Sequence, residues 1–445
     1  MQPDFTDKKV TVVGMARSGI AAARALHALG AQVTVTDKKP LGQLAGQVRA
    51  LGTPDITVVA GGHPERIFIE TDLVVLSPGV PKLPQVQAAR RHGVPVISEL
   101  ELAWMLADAP FIGITGTNGK STVTTLVGLM MQRSGKRTLV AGNIGTALTE
   151  DPSLLRGQDW IVAELSSFQL EDIQAFRPRV AAILNITQDH LDRYADLAEY
   201  GEAKARVFLN QHRDDVLVLN FDDPLVRALA PRATSRVVPF SRLERHGGGA
   251  CVENGMITVR GEAVCAVDEV RIRGVHNVEN ALAAAAVALA AGADRASVAA
   301  VLREFPGLEH RLEFVAEKDG VTYINDSKGT NVGAVLKSVE GFERPVILIA
   351  GGYDKGSDFS PLYDLFRRKV RLLILIGKAA DAMAGTLGSA TETVRAATLA
   401  EAVRTGHDRA RQGDVVLLSP ACASFDMFRD FEDRGRQFKE AVKAL

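Results

Sequence analysis

The chain has 445 residues, 46% of them hydrophobic and 24% charged, with a formal net charge of −1. That length is too great for one ordinary core and predicts two or three domains, while the balanced charge gives no basic field for nucleic acid or an anionic membrane. The N-terminal M-Q-P-D-F-T-D-K-K lacks a signal-peptide core, no apolar run could span a bilayer, and Cys251, Cys265 and Cys422 lack C-x-x-C spacing; the expectation is a protein of the reducing cytoplasm with neither disulfide framework nor zinc site.

In chain order, short apolar runs ending in Gly, Ser or Asn alternate with Ala- and Leu-rich segments of helical spacing. K-V-T-V-V-G (residues 9–14), D-L-V-V-L-S (72–77), W-I-V-A-E (160–164) and V-A-A-I-L-N (180–185) come first. V-I-L-I-A-G-G (346–352), R-L-L-I-L-I-G (371–377) and D-V-V-L-L-S-P (414–420) follow. Unbroken apolar strands between helices predict an α/β fold of parallel sheets covered on both faces. Three units are expected, over residues 1–105, 106–307 and 308–445, with R-H-G-G-G-A around residues 247–249 as the one loose-looking segment.

In the first unit, V-V-G-M-A-R-S-G places Gly14 and Gly19 in a strand-to-helix turn, with Ala16 where the middle glycine of G-x-G-x-x-G belongs. Asp37 closes the next strand, about where an acid meets a ribose hydroxyl. A ligand-free turn packed tightly on its strand is the plain alternative. Ser77-Pro78-Gly79 ends another strand nearby and favours a nucleotide pocket at this edge.

The second unit opens with G-I-T-G-T-N-G-K-S-T (residues 113–122), between an apolar strand and a helical pattern. Ile114 stands where G-x-x-x-x-G-K-[ST] requires glycine, but Gly116 and Gly119 supply the backbone freedom. Backbone N–H groups and the helix dipole face an anion, Lys120 neutralises phosphate oxygens, and Ser121 can ligate Mg²⁺. Glu164 emerges from an apolar strand, where a carboxylate is costly without a cation, and suits the same metal. Asp189, His190, Asp192 and Arg193 follow the next strand, at the sheet edge where ligands bind in open α/β folds. Lys204, taken alone, reads as an exposed helix lysine.

G-T-N-G-K-S-T (116–122), E-L-S-S-F-Q-L (164–170), D-H-L-D-R-Y (189–194), G-x-H-N-x-x-N (274–280), N-D-S-K-G-T-N (325–331) and S-P-A-C-A-S-F-D (419–426) together resemble the Mur ligase family over essentially the whole chain. The first motif is shared with folylpolyglutamate synthases; the order and spacing of the others are similar to the D-glutamate-adding members. The resemblance implies a Rossmann-like N-terminal domain holding the UDP of UDP-N-acetylmuramoyl-L-alanine, a central P-loop-type mononucleotide-binding domain for ATP, and a Rossmann-like C-terminal domain for D-glutamate. The implied reaction is ATP-driven amide formation through an acyl phosphate, by a monomer with two Mg²⁺ ions.

Residue by residue, the resemblance assigns Gly116, Thr117, Asn118, Gly119, Lys120, Ser121 and Thr122 to ATP. Ser121, Glu164, His190 and a carbamylated Lys204 are assigned to metal, which reverses the plain reading of Lys204. Asn277 and Asn280 match adenine-contacting positions, though asparagine equally suits a helix N-cap. Arg311 matches an arginine that reaches the γ-phosphate when the domains close, and Asp326 and Lys328 match residues flanking the nucleotide. Thr330, Lys355, Ser424 and Phe431 match positions that hold D-glutamate, whose side-chain carboxylate needs a cation such as Lys355. Phe425 departs from the leucine associated with that position. Asp37, Lys38, Ser77, Pro78, Gly79 and Asn143 match positions along the nucleotide sugar.

Three rival readings differ in what they leave unused. A folylpolyglutamate synthase gives no reason for a full α/β unit before the loop. An NAD-dependent oxidoreductase rests on Gly14, Gly19 and Asp37 alone. A non-enzymatic nucleotide switch leaves Arg311, Lys328 and the third unit without catalytic purpose.

Overall fold

The computed structural model describes residues 3–189, 193–354 and 356–445. Its first sheet has five parallel strands, β1 (Lys9–Val13), β2 (Gln32–Asp37), β3 (Thr57–Ala60), β4 (Leu73–Leu76) and β5 (Val96–Ser98), in the order β3-β2-β1-β4-β5. Val13 lies opposite Thr36 on one side and Leu76 on the other, so Gly14, Asp37 and Ser77 leave the sheet at one edge. The helix Arg17–Ala28 seats on β1 because Gly19 has no side chain: a Cβ there would fall 1.9 Å from the Gly14 carbonyl oxygen. Close packing, rather than the full dinucleotide fingerprint, accounts for these two glycines.

The second sheet has nine strands: β6 (Phe111–Thr115), β7 (Thr138–Gly142), β8 (Trp160–Glu164), β9 (Val180–Ile183), β10 (Val216–Asn220), β11 (Arg236–Ser241), β12 (Ala250–Glu253), β13 (Met256–Val259) and β14 (Glu262–Ala266). Their order is β14-β13-β12-β11-β10-β9-β6-β8-β7, and β6, β9 and β10 are buried along their whole length. The third sheet comprises β15 (Glu313–Lys318), β16 (Val321–Asn325), β17 (Val346–Gly351), β18 (Val370–Ile376), β19 (Glu392–Arg395) and β20 (Val415–Leu418), in the order β15-β16-β20-β17-β18-β19. Apolar clusters cover both of its faces, one around Leu348, Leu373 and Phe366, the other around Ile349, Ile374 and Phe438.

The expectation of purely parallel sheets needs correction at two edges. β12-β13-β14 form an antiparallel meander, and β15 pairs antiparallel with β16. Their turns, Asn254-Gly255, Arg260-Gly261 and Asp319-Gly320, all hold positive φ at both residues, the geometry that matches the twist of a two-residue hairpin. Nor is the glycine stretch at 247–249 uniformly loose. A Cβ on Gly249 would fall 2.3 Å from the Pro239 carbonyl oxygen, so glycine lets the chain enter β12.

The chain folds as two compact units. One holds the first two sheets (Met1–Ile186, Ala198–Glu269 and Glu279–Arg303); the other holds the third sheet with Thr187–Leu197, Val270–Val278 and Glu304–Leu445. Among the described residues no helix is long and apolar enough to cross a membrane.

Candidate active site

In the first unit, fully buried β6 delivers the loop that begins at Gly116 (φ +150°) and ends at Gly119 (φ +86°), the residue before the helix Lys120–Arg133. A Cβ on Gly119 would fall 2.4 Å from Asn280 Oδ1, so this glycine is required by close approach as well as by φ. The loop is braced from β9. Thr117 N–H donates to the Asn185 carbonyl (2.9 Å), Asn118 N–H to Asn185 Oδ1 (2.8 Å), and Asn185 Nδ2 to the Asn118 carbonyl (3.0 Å). Sequence reasoning missed Asn185; its place just past an apolar strand was the available signal. Lys120 Nζ donates to the Gly116 and Thr117 carbonyls, at 2.8 and 2.7 Å. An anion would meet the start of the following helix, where first-turn amides and the dipole favour negative charge. Ser121 and Thr122 are buried in that turn.

Glu164 ends β8, in register with Ile114 of β6, and is 1% exposed. Its Oε1 accepts from Asn143 Nδ2 at 2.7 Å. Its Oε2 is buried and makes no hydrogen bond among the described residues. A carboxylate oxygen left this way is costly unless a cation or donor completes it. Lys204 overturns its plain reading: it is 1% exposed, its Nζ 2.8 Å from the Gly116 carbonyl and 4.3 Å from the centre of the Tyr200 ring. The structure thus gathers the loop, Glu164, Asn143, Lys204 and Asn280 around one end of the second sheet. His190, Asp192 and Lys355 lie outside the described residues.

At the end of the first sheet, Asp37 accepts from Met15 N–H and Lys39 N–H, both at 2.9 Å. It therefore ties the strand-to-helix turn to the end of β2. Lys38 and Gly79 are exposed, while Ser77 is buried with an Oγ that makes no hydrogen bond among the described residues. A Cβ on Gly14 would come within 3.1 Å of Ser77 Cβ, which places the two strand ends side by side.

In the second unit, Arg311 is flanked by two non-glycine residues at positive φ, His310 (+64°) and Leu312 (+44°). Such strain, about 1–3 kcal/mol per residue, persists where the surroundings over-determine it. Here His310 N–H donates to Glu313 Oε2 (2.9 Å) and Leu312 N–H to Asp326 Oδ1 (3.3 Å). Asp326 is buried, and its Oδ2 accepts from the Ser338 and Ser419 hydroxyls, both at 2.7 Å. Burial pushes its carboxyl up to about 6, against the opposing pull of those hydroxyls and Arg311. His276 is held down at about 4, by burial first and then by the charges of Lys337 and Arg311. Asn277 donates to the Arg273 carbonyl at 2.8 Å, so its side chain engages the preceding turn.

Lys328 Nζ sits 3.7 Å from the centre of the Phe431 ring. Thr330 lines a cavity of about 190 Å³ with Asn331, Tyr353, Asp358 and the stretch from Ala421 to Ala423; Ser424 and Phe431 are not among its described lining residues. Arg434, which sequence reasoning also missed, is fully buried. Its guanidinium donates to Ser327 Oγ (2.9 Å), the Ser327 carbonyl (2.8 Å) and the Cys422 carbonyl (3.2 Å), and Ser327 Oγ donates to the Phe431 carbonyl at 2.8 Å. One arginine thus braces the segments that carry Lys328, Ser424 and Phe431. Burial lowers it to about 10, opposed by Cys422, Asp426 and Asp326.

Residues 114–288 match the family model of the Mur ligase middle domain, 310–422 that of the Mur ligase glutamate ligase domain, and 8–98 that of the Mur ligase MurD-like N-terminal domain. The chain is 48% identical over 447 residues to the UDP-N-acetylmuramoylalanine–D-glutamate ligase of Geotalea daltonii, covering 99% of this chain and 98% of the relative. It is 46% identical over 452 residues to the protein of that name from Pelotomaculum thermopropionicum, covering 100% and 99%. Among solved structures it resembles UDP-N-acetylmuramate-alanine ligase MurC from Thermotoga maritima, with a TM-score of 0.63 at 22% identity over 98% of this chain and 99% of that one. At that identity the likeness concerns the fold.

Proposed function

We propose, from the premise that this chain belongs to the Mur ligase family, that it joins D-glutamate to UDP-N-acetylmuramoyl-L-alanine by ATP-driven amide formation in peptidoglycan precursor synthesis. The observation that carries the reading is the braced phosphate loop beside buried Glu164, in a chain 48% identical along its length to a ligase so named.

A carboxylate does not react with an amine at neutral pH. Transfer of the γ-phosphoryl group of ATP to the L-alanyl carboxylate makes an acyl phosphate; the D-glutamate nitrogen then adds to the acyl carbon, and phosphate leaves as the amide forms. The protein's part is alignment and charge neutralisation. Lys120 and the start of its helix hold the phosphates, and Arg311 brings a further positive charge to the transferring group. Asn277 and Asn280 contact the adenine, with Asp326 and Lys328 beside the nucleotide. Ser121, Glu164, His190 and Lys204 as its carbamate would hold two Mg²⁺ ions; bound there, the metal neutralises phosphate charge. The oxygen donors of Ser121, Glu164 and the carbamate, among them the uncommitted Glu164 Oε2, suit this hard cation, with His190 as the one nitrogen donor. Asp37, Lys38, Ser77, Pro78, Gly79 and Asn143 hold the nucleotide sugar. Thr330, Lys355, Ser424 and Phe431 hold D-glutamate. The functional domains run over 1–105, 106–307 and 308–445, in a monomer acting in the cytoplasm.

The test is phosphate release from ATP and Mg²⁺ with UDP-N-acetylmuramoyl-L-alanine and D-glutamate. Release should require both co-substrates and fall roughly 10³-fold in Lys120→Ala, with unchanged circular dichroism. Release with a different amino acid but none with D-glutamate would reassign the acceptor.

A further inference from the structure

The turn G-G-H-P (residues 61–64) leaves β3 directly beside the end of β2, since Ala60 pairs with Asp37. Gly61 and Gly62 adopt φ of +83° and +153°, and a Cβ on either would meet nothing within 4 Å. Here glycine serves backbone shape in open space, not tight packing. The turn carries His63 to the rim where Asp37 and Lys38 emerge; both are close enough to act electrostatically on its ring.

The hydrogen bonds fix the tautomer. Thr36 Oγ1 lies 2.9 Å from the Gly62 carbonyl and 3.0 Å from His63 Nδ1. A carbonyl can only accept, and a threonine hydroxyl has one proton to give. That proton goes to Gly62, so the hydroxyl oxygen receives Nδ1–H and the neutral ring presents Nε2 as an acceptor. Phe68 meets the ring edge-on, with centroids 6.3 Å apart. Among the described residues Nε2 makes no hydrogen bond. Burial, with help from Lys38 and against Asp37, holds the imidazole below its ordinary value. Both the hydrogen-bond pattern and that direction favour the neutral ring.

We propose that His63 is a further specificity residue of the nucleotide-sugar site, its Nε2 accepting a hydrogen bond from the uridine. This deepens the reading of the first sheet as the UDP-binding domain and rests on it. Uridine offers two kinds of donor, the base N3–H and the ribose hydroxyls, whereas the diphosphate offers none. The muramoyl-alanyl part also carries donors but lies beyond the diphosphate. An uncommitted acceptor beside Asp37 and Lys38, at the nucleoside end of this reading, therefore selects for the uridine. Asp37 already accepts one backbone N–H on each carboxylate oxygen, and His63 Nε2 adds an uncommitted acceptor at the same rim.

The experiment is calorimetric titration of the full chain with UDP-N-acetylmuramoyl-L-alanine, for wild type, His63→Ala and His63→Gln. Loss of one hydrogen bond predicts about tenfold weaker binding by His63→Ala, with ATP binding unchanged. Glutamine, whose Oε1 can stand in for Nε2, should stay within about threefold of wild type. Between pH 7 and 5 the wild-type affinity should fall relative to His63→Gln, because protonation of Nε2 turns the acceptor into a donor. An analogue methylated at uracil N3 separates the sources: equal binding by wild type and His63→Ala assigns the base, a persisting difference the ribose. Wild-type binding matched by His63→Ala overturns the role of His63 while the UDP reading stands. Failure of the wild-type protein to bind the nucleotide sugar at all overturns both.

Discussion

Lys204 holds its amine 2.8 Å from the Gly116 carbonyl in a pocket that leaves it 1% exposed, so any chemistry it does is done at the phosphate loop. As a carbamate it would bring a negative charge there: the neutral amine adds to CO₂, a C–N bond forms, and a proton is released. Wild-type protein in ¹³C-bicarbonate should then show one carbamate carbon resonance that Lys204→Met lacks, and its turnover should fall when CO₂ is stripped and recover on readdition. Turnover indifferent to bicarbonate, with no such resonance, would leave Lys204 as a structural cation on the loop. At this scale the sequence was legible where chemistry is local. Lys120, Ser121 and the glycines of the loop form a contiguous pattern with one physical use. Lys204 and Arg434 were not legible that way, because burial is a property of what packs against a helix. Spacing still held a clue. Lys204 follows Tyr200 by four residues, and Arg434 lies on the face set by Phe438 and Val442, all of them buried.

Between the first and second sheets runs the helix Glu99–Leu106, which carries two buried acids. Glu101 is an anchor: its carboxylate accepts from Gln174 N–H (2.8 Å), Ala175 N–H (2.8 Å) and Phe176 N–H (2.9 Å). Glu99 accepts from Thr149 N–H and its hydroxyl, at 2.9 and 2.8 Å, and burial pushes its carboxyl up. The linking helix is thereby fixed to loops of the second sheet, consistent with both sheets forming one compact unit. Glu101→Ala would leave three backbone donors without this acceptor, and the buried one, Phe176 N–H, would cost about 1–3 kcal/mol. The melting transition of that unit should fall by several degrees, with Glu101→Gln intermediate because an amide offers one acceptor oxygen; a melt unchanged by Glu101→Ala would show that water replaces the carboxylate. Such anchors could not be read from sequence, since the residues at 174–176 are partners only through folding. The antiparallel edges were a different case. Asn254-Gly255 and Asp319-Gly320 are strong hairpin signals, set within a regular strand–helix alternation that masks them.

The alternation of apolar strands with helices was enough to make the α/β class and three sheets legible, because strands buried on both faces must be apolar throughout. It could not show that two sheets share one compact unit while the third, with its own clusters on both faces, forms another. That division makes the proposed ligand assignments separable by heat. A ligand stabilises only the unit that holds it, by RT ln(1 + [L]/Kd), or about 2.7 kcal/mol at a hundredfold excess over Kd. For a unit of this size that is a shift of several degrees. Scanning calorimetry should therefore show two transitions. A non-hydrolysable ATP analogue with Mg²⁺ should raise chiefly the transition of the unit containing Lys120, which carries the phosphate loop, and Lys120→Ala should abolish that shift. D-glutamate alone should raise the transition of the unit containing Thr330, Ser424 and Phe431 in both proteins. If D-glutamate instead moved only the Lys120 unit, its assignment to the third sheet would fall. If either ligand moved a single common transition, the two units would unfold together, and the assignments would have to be separated by substitution at each site.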